Sequence, residues 1–161
     1  MVNRYSAALM TFVGRVVGQQ EDAEDVVQNT FVAAYQHLKD YDPTKASLQT
    51  WLQRIAYHEA LYHLRRRKRW HTQPLDVGDD VPDEWPEQTT VEQLDEAIRR
   101  LTPEDQMLLQ LYYFDQRPLK EIAFITGATE ATLTREASRL GSRLHRIRQR
   151  LRIILTRMNN E

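Results

Sequence analysis

Two groups of side chains have types and spacings that could do chemistry on a nucleic acid. The first mixes rings with cations: Trp51, Arg54, Tyr57 and Tyr62, then the unbroken basic run Arg65, Arg66, Arg67, Lys68 and Arg69. Unstacked bases stack on aromatic faces while cations follow the phosphates, so this mixture suits single-stranded or distorted DNA. The second group mixes short hydroxyls with guanidinium groups: Thr129, Thr132, Thr134, Arg135, Ser138 and Arg139. Such a set suits the major groove, where arginine reads guanine edges and Thr or Ser reaches bases or phosphates. Both groups also have plainer readings. Trp51 lies one turn before Ile55 and could be core, and a basic run at a helix end is often a solvated terminus.

A third grouping fails on geometry. The string His58-Glu59-Ala60-Leu61-Tyr62-His63 is similar to a zinc motif, but its histidines are five residues apart. At about 100° per residue they sit about 140° apart on a helix and cannot share a metal. The chain has no cysteine, which excludes disulfides and thiolate metal sites. No glycine-rich phosphate loop and no nucleophile–base arrangement is present. The sequence therefore predicts no enzymatic activity, no cofactor and no metal.

Helices must position these groups, and no alternating strand pattern is found. Tyr5, Leu9, Phe12, Val13 and Val16 recur at helical spacing, and Gly18-Gln19-Gln20 offers a break. A second helix carries Ala23, Val26, Val27, Thr30, Phe31, Ala34, Tyr35 and Leu38 on one face and ends before Asp42-Pro43. A third opens near Ser47 with Leu48, Trp51, Leu52, Ile55, Ala56 and Leu64, and runs into the basic cluster. Periodicity then vanishes: Pro74, Gly78, Pro82 and Pro86 interrupt an acidic stretch, as in a solvated tether. It reads as a self-repelling spacer, or alternatively as a DNA-mimicking segment that competes for a basic face. Beyond it, Val91, Leu94, Ile98 and Leu101 form one stripe. Thr102-Pro103-Glu104-Asp105 then supplies a helix cap with proline at the first helical position, and Met107, Leu108, Leu111 and Tyr112 point inward.

The last two helices carry a helix-turn-helix pattern. Counting Leu119 as the first position, Ala123 is fifth, Gly127 ninth and Leu133 fifteenth. A small fifth residue lets the second helix cross the first closely. Glycine at the ninth permits the positive φ of the turn, and an apolar fifteenth anchors the second helix, with Ile122 and Ile125 completing the inward face. A plain helical hairpin could satisfy the same three positions. The outward hydroxyls and arginines of the second helix favour DNA.

Charge supports that choice only locally. Twenty-two Lys and Arg against 23 Asp and Glu give a pI near 6.5, which hints at no polyanion. The charges are segregated, however. Residues 76–96 hold nine acids and no Lys or Arg, whereas after Thr129 eight arginines face only Glu130, Glu136 and Glu161. Local fields steer polyanions where net charge does not. No apolar run approaches the roughly 20 residues that span a bilayer, and the start is not a signal peptide, so no membrane insertion and a cytoplasmic location are expected.

Three strings resemble a known family. Glu21-Asp22-Ala23-Glu24-Asp25-Val26-Val27-Gln28-Asn29-Thr30-Phe31, Trp51-Leu52-Gln53-Arg54-Ile55-Ala56 and the 65–69 cluster are similar to region two of the extracytoplasmic-function (ECF) group of bacterial RNA polymerase sigma factors. Leu101-Thr102-Pro103-Glu104, Lys120-Glu121-Ile122-Ala123 and Ser142-Arg143-Leu144-His145-Arg146 are similar to that group's region four. The resemblance implies an all-α chain of two small helical domains on a flexible acidic linker: 1–71 for core polymerase and the −10 promoter element, 72–90 as linker, and 91–161 as a helix-turn-helix for the −35 element. It implies core polymerase contacts at Asp22, Asp25, Gln28 and Asn29. For the −10 element it implies Lys45, Ser47, Trp51, Arg54, Tyr57, His58, Tyr62, Arg65, Arg66 and Arg67; for the −35 element, Thr129, Thr132, Thr134, Arg135, Ser138 and Arg139. Core RNA polymerase and promoter DNA are the implied partners, with an anti-sigma factor implied by the resemblance alone.

Three departures stand out. His58 replaces an asparagine common in the group, the sequence before Tyr5 is short, and residues 142–146 fall about two helical turns late relative to Leu133. The rival reading is a conventional regulator with the same helix-turn-helix, binding duplex operators unaided and usually as a symmetric dimer.

Overall fold

The computed structural model of the chain describes residues 2–66, 81–82 and 84–160. Among these residues there are seven α-helices and no strand: α1 Val2–Val17, α2 Gln20–Gln36, α3 Leu48–Arg66, α4 Val91–Arg99, α5 Pro103–Leu109, α6 Leu119–Ile125 and α7 Leu133–Asn159. Arg67, expected at the −10 element, lies outside the described residues, as do Lys68, Arg69 and residues 72–80 and 83 of the expected linker.

Helices α1, α2 and α3 pack as a three-helix unit. Leu9, Phe12, Val13, Val16, Ala23, Val26, Ala34, Leu52, Ala56 and Leu64 are its buried contribution, the spacing the sequence predicts. Gly18, at φ +88°, turns the chain between α1 and α2, where a side chain would be strained. Buried Thr30 returns its hydroxyl to Val26 O at 2.7 Å, so its burial leaves no orphan donor. Two residues of the expected α2 stripe break ranks. Tyr35 is 76% exposed, and Leu38 stands outside α2 in a 3-10 turn, also exposed.

In the C-terminal half the start signal read from sequence at residues 102–105 is present, and α4 has a cap as well. Thr90 caps α4 reciprocally with Gln93, and the Thr102 hydroxyl accepts the Asp105 N–H ahead of Pro103. Met107, Leu108 and Leu111 are buried, but Val91 and Leu94 of the expected α4 stripe are exposed. After α5 the chain makes a π-helical turn, Gln110–Phe114, and Gln116 takes a left-handed φ of +52° before α6. Trp85, at the described end of the acidic stretch, lies under Arg152 with the guanidinium 5.0 Å from the ring centre, so that end rests on α7.

The two halves share one buried apolar cluster running from Leu9 and Leu52 to Met107, Ile122 and Ile147. Helix α3 packs on α5 and α6, and α1 on α5. Their polar seam is made by arginines. Arg117 donates to Gln53 Oε1 at 2.8 Å and to Thr50 Oγ1 at 3.3 Å. Arg15 donates to Gln110 Oε1 at 3.3 Å while stacking 4.1 Å from the centre of the Phe114 ring.

Candidate nucleic-acid interface

The helix-turn-helix has the geometry its spacing predicts. Ala123 is fully buried where α6 and α7 cross, in a cluster of small residues with Ala128 and Ala137 closed by Leu119, Leu133 and Leu140. Gly127 turns the chain with φ +117°. Residues 129–132, however, precede α7 rather than belonging to it. Thr129 N–H donates to Thr132 Oγ1 at 3.0 Å and their hydroxyls lie 3.1 Å apart, so both side chains close the turn. Short hydroxyls beside free backbone groups favour this arrangement over helix. Thr134, Arg135, Ser138 and Arg139 do lie on α7 and are exposed. Glu136 pairs with Arg139 at 3.2 Å and Arg135 at 3.8 Å, holding the two guanidinium groups beside one carboxylate.

Helix α7 continues unbroken through residues 142–146 for 27 residues, so the late position of that string reflects one long helix. Four of its later arginines are engaged within the chain. Asp105, 2% exposed, receives Arg143 Nε at 2.6 Å and Arg150 Nη1 at 3.3 Å. Arg148 donates to the Tyr113 hydroxyl at 2.6 Å, and Arg152 covers Trp85. These four hold α7 against the rest of the C-terminal half. They were invisible as structural groups because each partner is far away in sequence.

The N-terminal candidates divide in the same way. Ser47 is a helix cap, its Oγ accepting Thr50 N–H at 3.2 Å. Asp42 accepts both the hydroxyl and the N–H of Thr44, at 2.6 and 2.9 Å, which fixes the loop and holds its carboxyl below the usual value. Half-buried Trp51 stacks on Tyr41, ring centres 5.1 Å apart; sequence reasoning missed Tyr41, whose hydroxyl is anchored to Ala46 O. Tyr62 is 60% exposed with Arg66 5.6 Å over its ring, the open aromatic–cation pair the sequence predicts.

Tyr57 is buried rather than open. It is 6% exposed, and burial, with Glu104 nearby, pushes its hydroxyl up to about 12. The same seam engages its neighbours. Arg54 lies 4.6 Å from the centre of the Phe124 ring and donates to Ala128 O at 3.5 Å. The His58 ring packs against Gly127 while keeping one side exposed, and burial followed by the Arg54 and Arg65 charges keeps it less readily protonated than an ordinary histidine. Arg65 pairs with Glu104 at 3.1 Å and Lys45 with Glu130 at 3.9 Å. A cleft of about 840 Å³ runs between the halves, with Tyr41, Trp51, Arg54 and His58 on one wall and Phe124 and Leu133 on the other. His63 faces away from His58, 3.7 Å from Asp22. Among the described residues no group of three or more His, Asp or Glu is placed to hold a metal ion.

On α2, Asp25, Gln28 and Asn29 are exposed as expected, whereas the Asp22 side chain is only 17% exposed because it turns towards α3. Beside Gln28 an open apolar groove is lined by Met10, Val27, Phe31, Val32 and Tyr35. Sequence reasoning missed Val32 as a surface group and took Tyr35 for core. No helix among the described residues is long and apolar enough to cross a membrane.

Among the described residues, the helical architecture, an exposed aromatic–cationic helix end and a helix-turn-helix are features of a DNA-binding protein. The family description Sigma-70 region 2 matches residues 1–70, and Sigma-70, region 4 matches residues 91–140. The chain is 29% identical to the ECF RNA polymerase sigma factor SigE of Mycolicibacterium smegmatis over its whole length, spanning 62% of that protein. It is 25% identical to the RNA polymerase sigma factor YlaC of Bacillus subtilis, covering all of this chain and 93% of that one. The sigma factor RpoE of Bartonella quintana, solved with the anti-sigma factor NepR, superposes with a TM-score of 0.65 at 21% identity over 96% of this chain and 94% of that one. This chain belongs to the ECF group of the sigma-70 family.

Proposed function

We propose that the chain directs core RNA polymerase to specific promoters and helps melt their −10 element. The observation that carries this reading is the presence of both sigma-70 regions on one chain, in order. A conventional regulator needs only the second. Residues 1–71 act as the polymerase- and −10-binding domain, residues 72–90 as the linker, and residues 91–161 as the −35-binding domain. Thr134, Arg135, Ser138 and Arg139 enter the major groove from the first turns of α7, while Thr129 and Thr132 shape the turn before it. Trp51, Arg54, His58, Tyr62, Arg65 and Arg66 line the path of the melted strand, where a stacking platform offsets the few kcal/mol that unstacking a base costs.

The α2 surface of Asp25, Gln28 and Asn29, together with the apolar groove at Val32 and Tyr35, is the proposed polymerase contact. Anchoring aromatics beside a polar rim are what such an interface needs. The protein works in the cytoplasm, performs no reaction of its own, and is held in check by an anti-sigma factor, as its Bartonella relative is bound by NepR.

A pull-down against bacterial core RNA polymerase tests the α2 assignment. Wild type should bind stoichiometrically and Tyr35→Ala should bind at least about tenfold more weakly, the loss expected for a central aromatic anchor. Equal binding by Tyr35→Ala would move the contact elsewhere. No binding by wild type, with tight autonomous binding to a palindromic duplex, would favour an ordinary regulator.

A further inference from the structure

We propose that Glu136 sets the specificity of the −35 reader: its carboxylate reserves Arg135 and Arg139 for neutral base edges and keeps them off phosphates. This rests on the −35 assignment of α7 made above. Glu136 is the single acid in the 27 residues of α7, against eight arginines. It stands among the four exposed groups assigned to the groove, Thr134, Arg135, Ser138 and Arg139. Its Oε1 accepts from Arg139 Nη1 at 3.2 Å and lies 3.8 Å from Arg135 Nε, so one oxygen serves both guanidinium groups. Four arginines further along have partners of their own: Asp105 for Arg143 and Arg150, the Tyr113 hydroxyl for Arg148 and Trp85 for Arg152. The preceding acid, Glu130, is turned to Lys45.

As a brace for the helix the arrangement is weak. Arg135 and Arg139 keep 66% and 69% of their side-chain surface in solvent, and ion pairs that open stabilise a helix little. The carboxylate acts instead on what the arginines can meet. It takes one donor of Arg139, at Nη1, and leaves the rest of the five-donor guanidinium for a bidentate grip on guanine O6 and N7. A phosphate reaching for either guanidinium must come close to a like charge, whereas a guanine edge is neutral and meets no such repulsion. Contact with the wrong acceptor is penalised and contact with the right one is not, which is how a repulsive group raises specificity without adding affinity. Glu136 also cancels one of the two cations on this face, which weakens the sequence-independent pull of the phosphates. Because it acts through the two arginines, Glu136 is a positioning residue.

Glu136→Gln removes the charge while keeping the shape and the helix propensity, and Glu136→Asp keeps the charge. Each full-length variant is assembled with core RNA polymerase and presented with a pool of promoter-length duplexes randomised over their upstream half. The sequence that wild-type holoenzyme enriches is then made as a single duplex, and affinity for it is compared with affinity for the unselected pool. Glu136→Gln should bind the pool more tightly, with a salt dependence steeper by up to about two units of slope as two arginines turn to phosphates. It should bind the enriched duplex no better than wild type, so the preference falls about fivefold, the low end of what one bidentate arginine–guanine contact contributes. Glu136→Asp should retain most of the preference. An unchanged preference, whether both affinities rise together or neither moves, would overturn the proposal and leave Glu136 a bystander charge or a stabiliser of the helix start. Relaxation at one base pair with pool affinity unchanged would overturn it too, because Glu136 would then read a cytosine amino group itself. A wild-type holoenzyme that enriches no upstream sequence would instead remove the −35 assignment, and the proposal with it.

Discussion

Replacing Asp105 by alanine should cost the C-terminal half about 3 kcal/mol. The carboxylate is 2% exposed and is met by Arg143 Nε at 2.6 Å and Arg150 Nη1 at 3.3 Å, which tie α5 to the middle of α7. A hydrogen bond to a charged group contributes about 1.5–3 kcal/mol, so two lost bonds set an upper range of about 3–6. The arginines keep 41% and 34% of their side-chain surface in water and can rehydrate, which draws the cost to the lower end of that range and of the 3–5 kcal/mol typical of a broken buried pair. The Thr102 cap survives, because it holds the backbone N–H of residue 105. Urea denaturation followed by far-ultraviolet circular dichroism measures the change. Thermal unfolding should fall by about 6–12 °C at about 2–4 °C per kcal/mol for a chain of this size. Asp105→Asn, which keeps one acceptor, should lose clearly less. A loss under about 1 kcal/mol for alanine would refute the view that this carboxylate anchors the long helix.

Four further outcomes follow from the geometry. Arg135→Ala should weaken −35 binding by about 1–3 kcal/mol on some sequences only; equal loss on every promoter, by gel shift with the holoenzyme, would reduce it to a phosphate contact. Gly127→Ala must hold φ +117° with a side chain and should cost of order 1–3 kcal/mol in thermal unfolding, an unchanged melting temperature contradicting the strained turn. Neutralising Arg65 and Arg66 should lower the salt dependence of DNA binding by up to about two units of slope, and an unchanged slope would count against contact. His58 should make folding stability pH-dependent, because burial, then the Arg54 and Arg65 charges, oppose its protonation in the folded chain. The unfolded chain binds that proton more readily, so its contribution is fully present above the ordinary value of 6.5 and weakens as pH falls below it. The thermal midpoint against pH should therefore drop in that window for wild type and stay flatter for His58→Ala.

What was legible in the sequence was short-range. Ala123, Gly127 and Leu133 follow from sterics within one turn, Thr102 acts on the backbone N–H three residues on, and Pro103 fits a first helical position that needs no N–H, so their positions and roles can be read together. The open pair Tyr62 and Arg66 was legible for the same reason. Tyr57, Arg143 and Arg150 were not, since each is fixed by a partner 38 or more positions away or by the other half of the chain. On pattern alone a buried tyrosine and a base-stacking one look alike. Periodicity also overran the ends of elements. It carried Leu38 past the last turn of α2 and put Val91 on an inward face at the exposed start of α4, because a stripe does not record where packing stops. Thr129 and Thr132 were placed on the recognition helix although their hydroxyls prefer to close the turn before it.

The central claim is that this chain gives core RNA polymerase its promoter choice. Transcription in vitro with purified core polymerase and a library of bacterial promoter fragments tests it most directly, with and without the chain. The account predicts discrete new transcripts only when the chain is present, their starts sharing common −35 and −10 sequences and their yield falling with Arg135→Ala. Core polymerase that binds the chain yet initiates at the same sites with and without it would contradict the account.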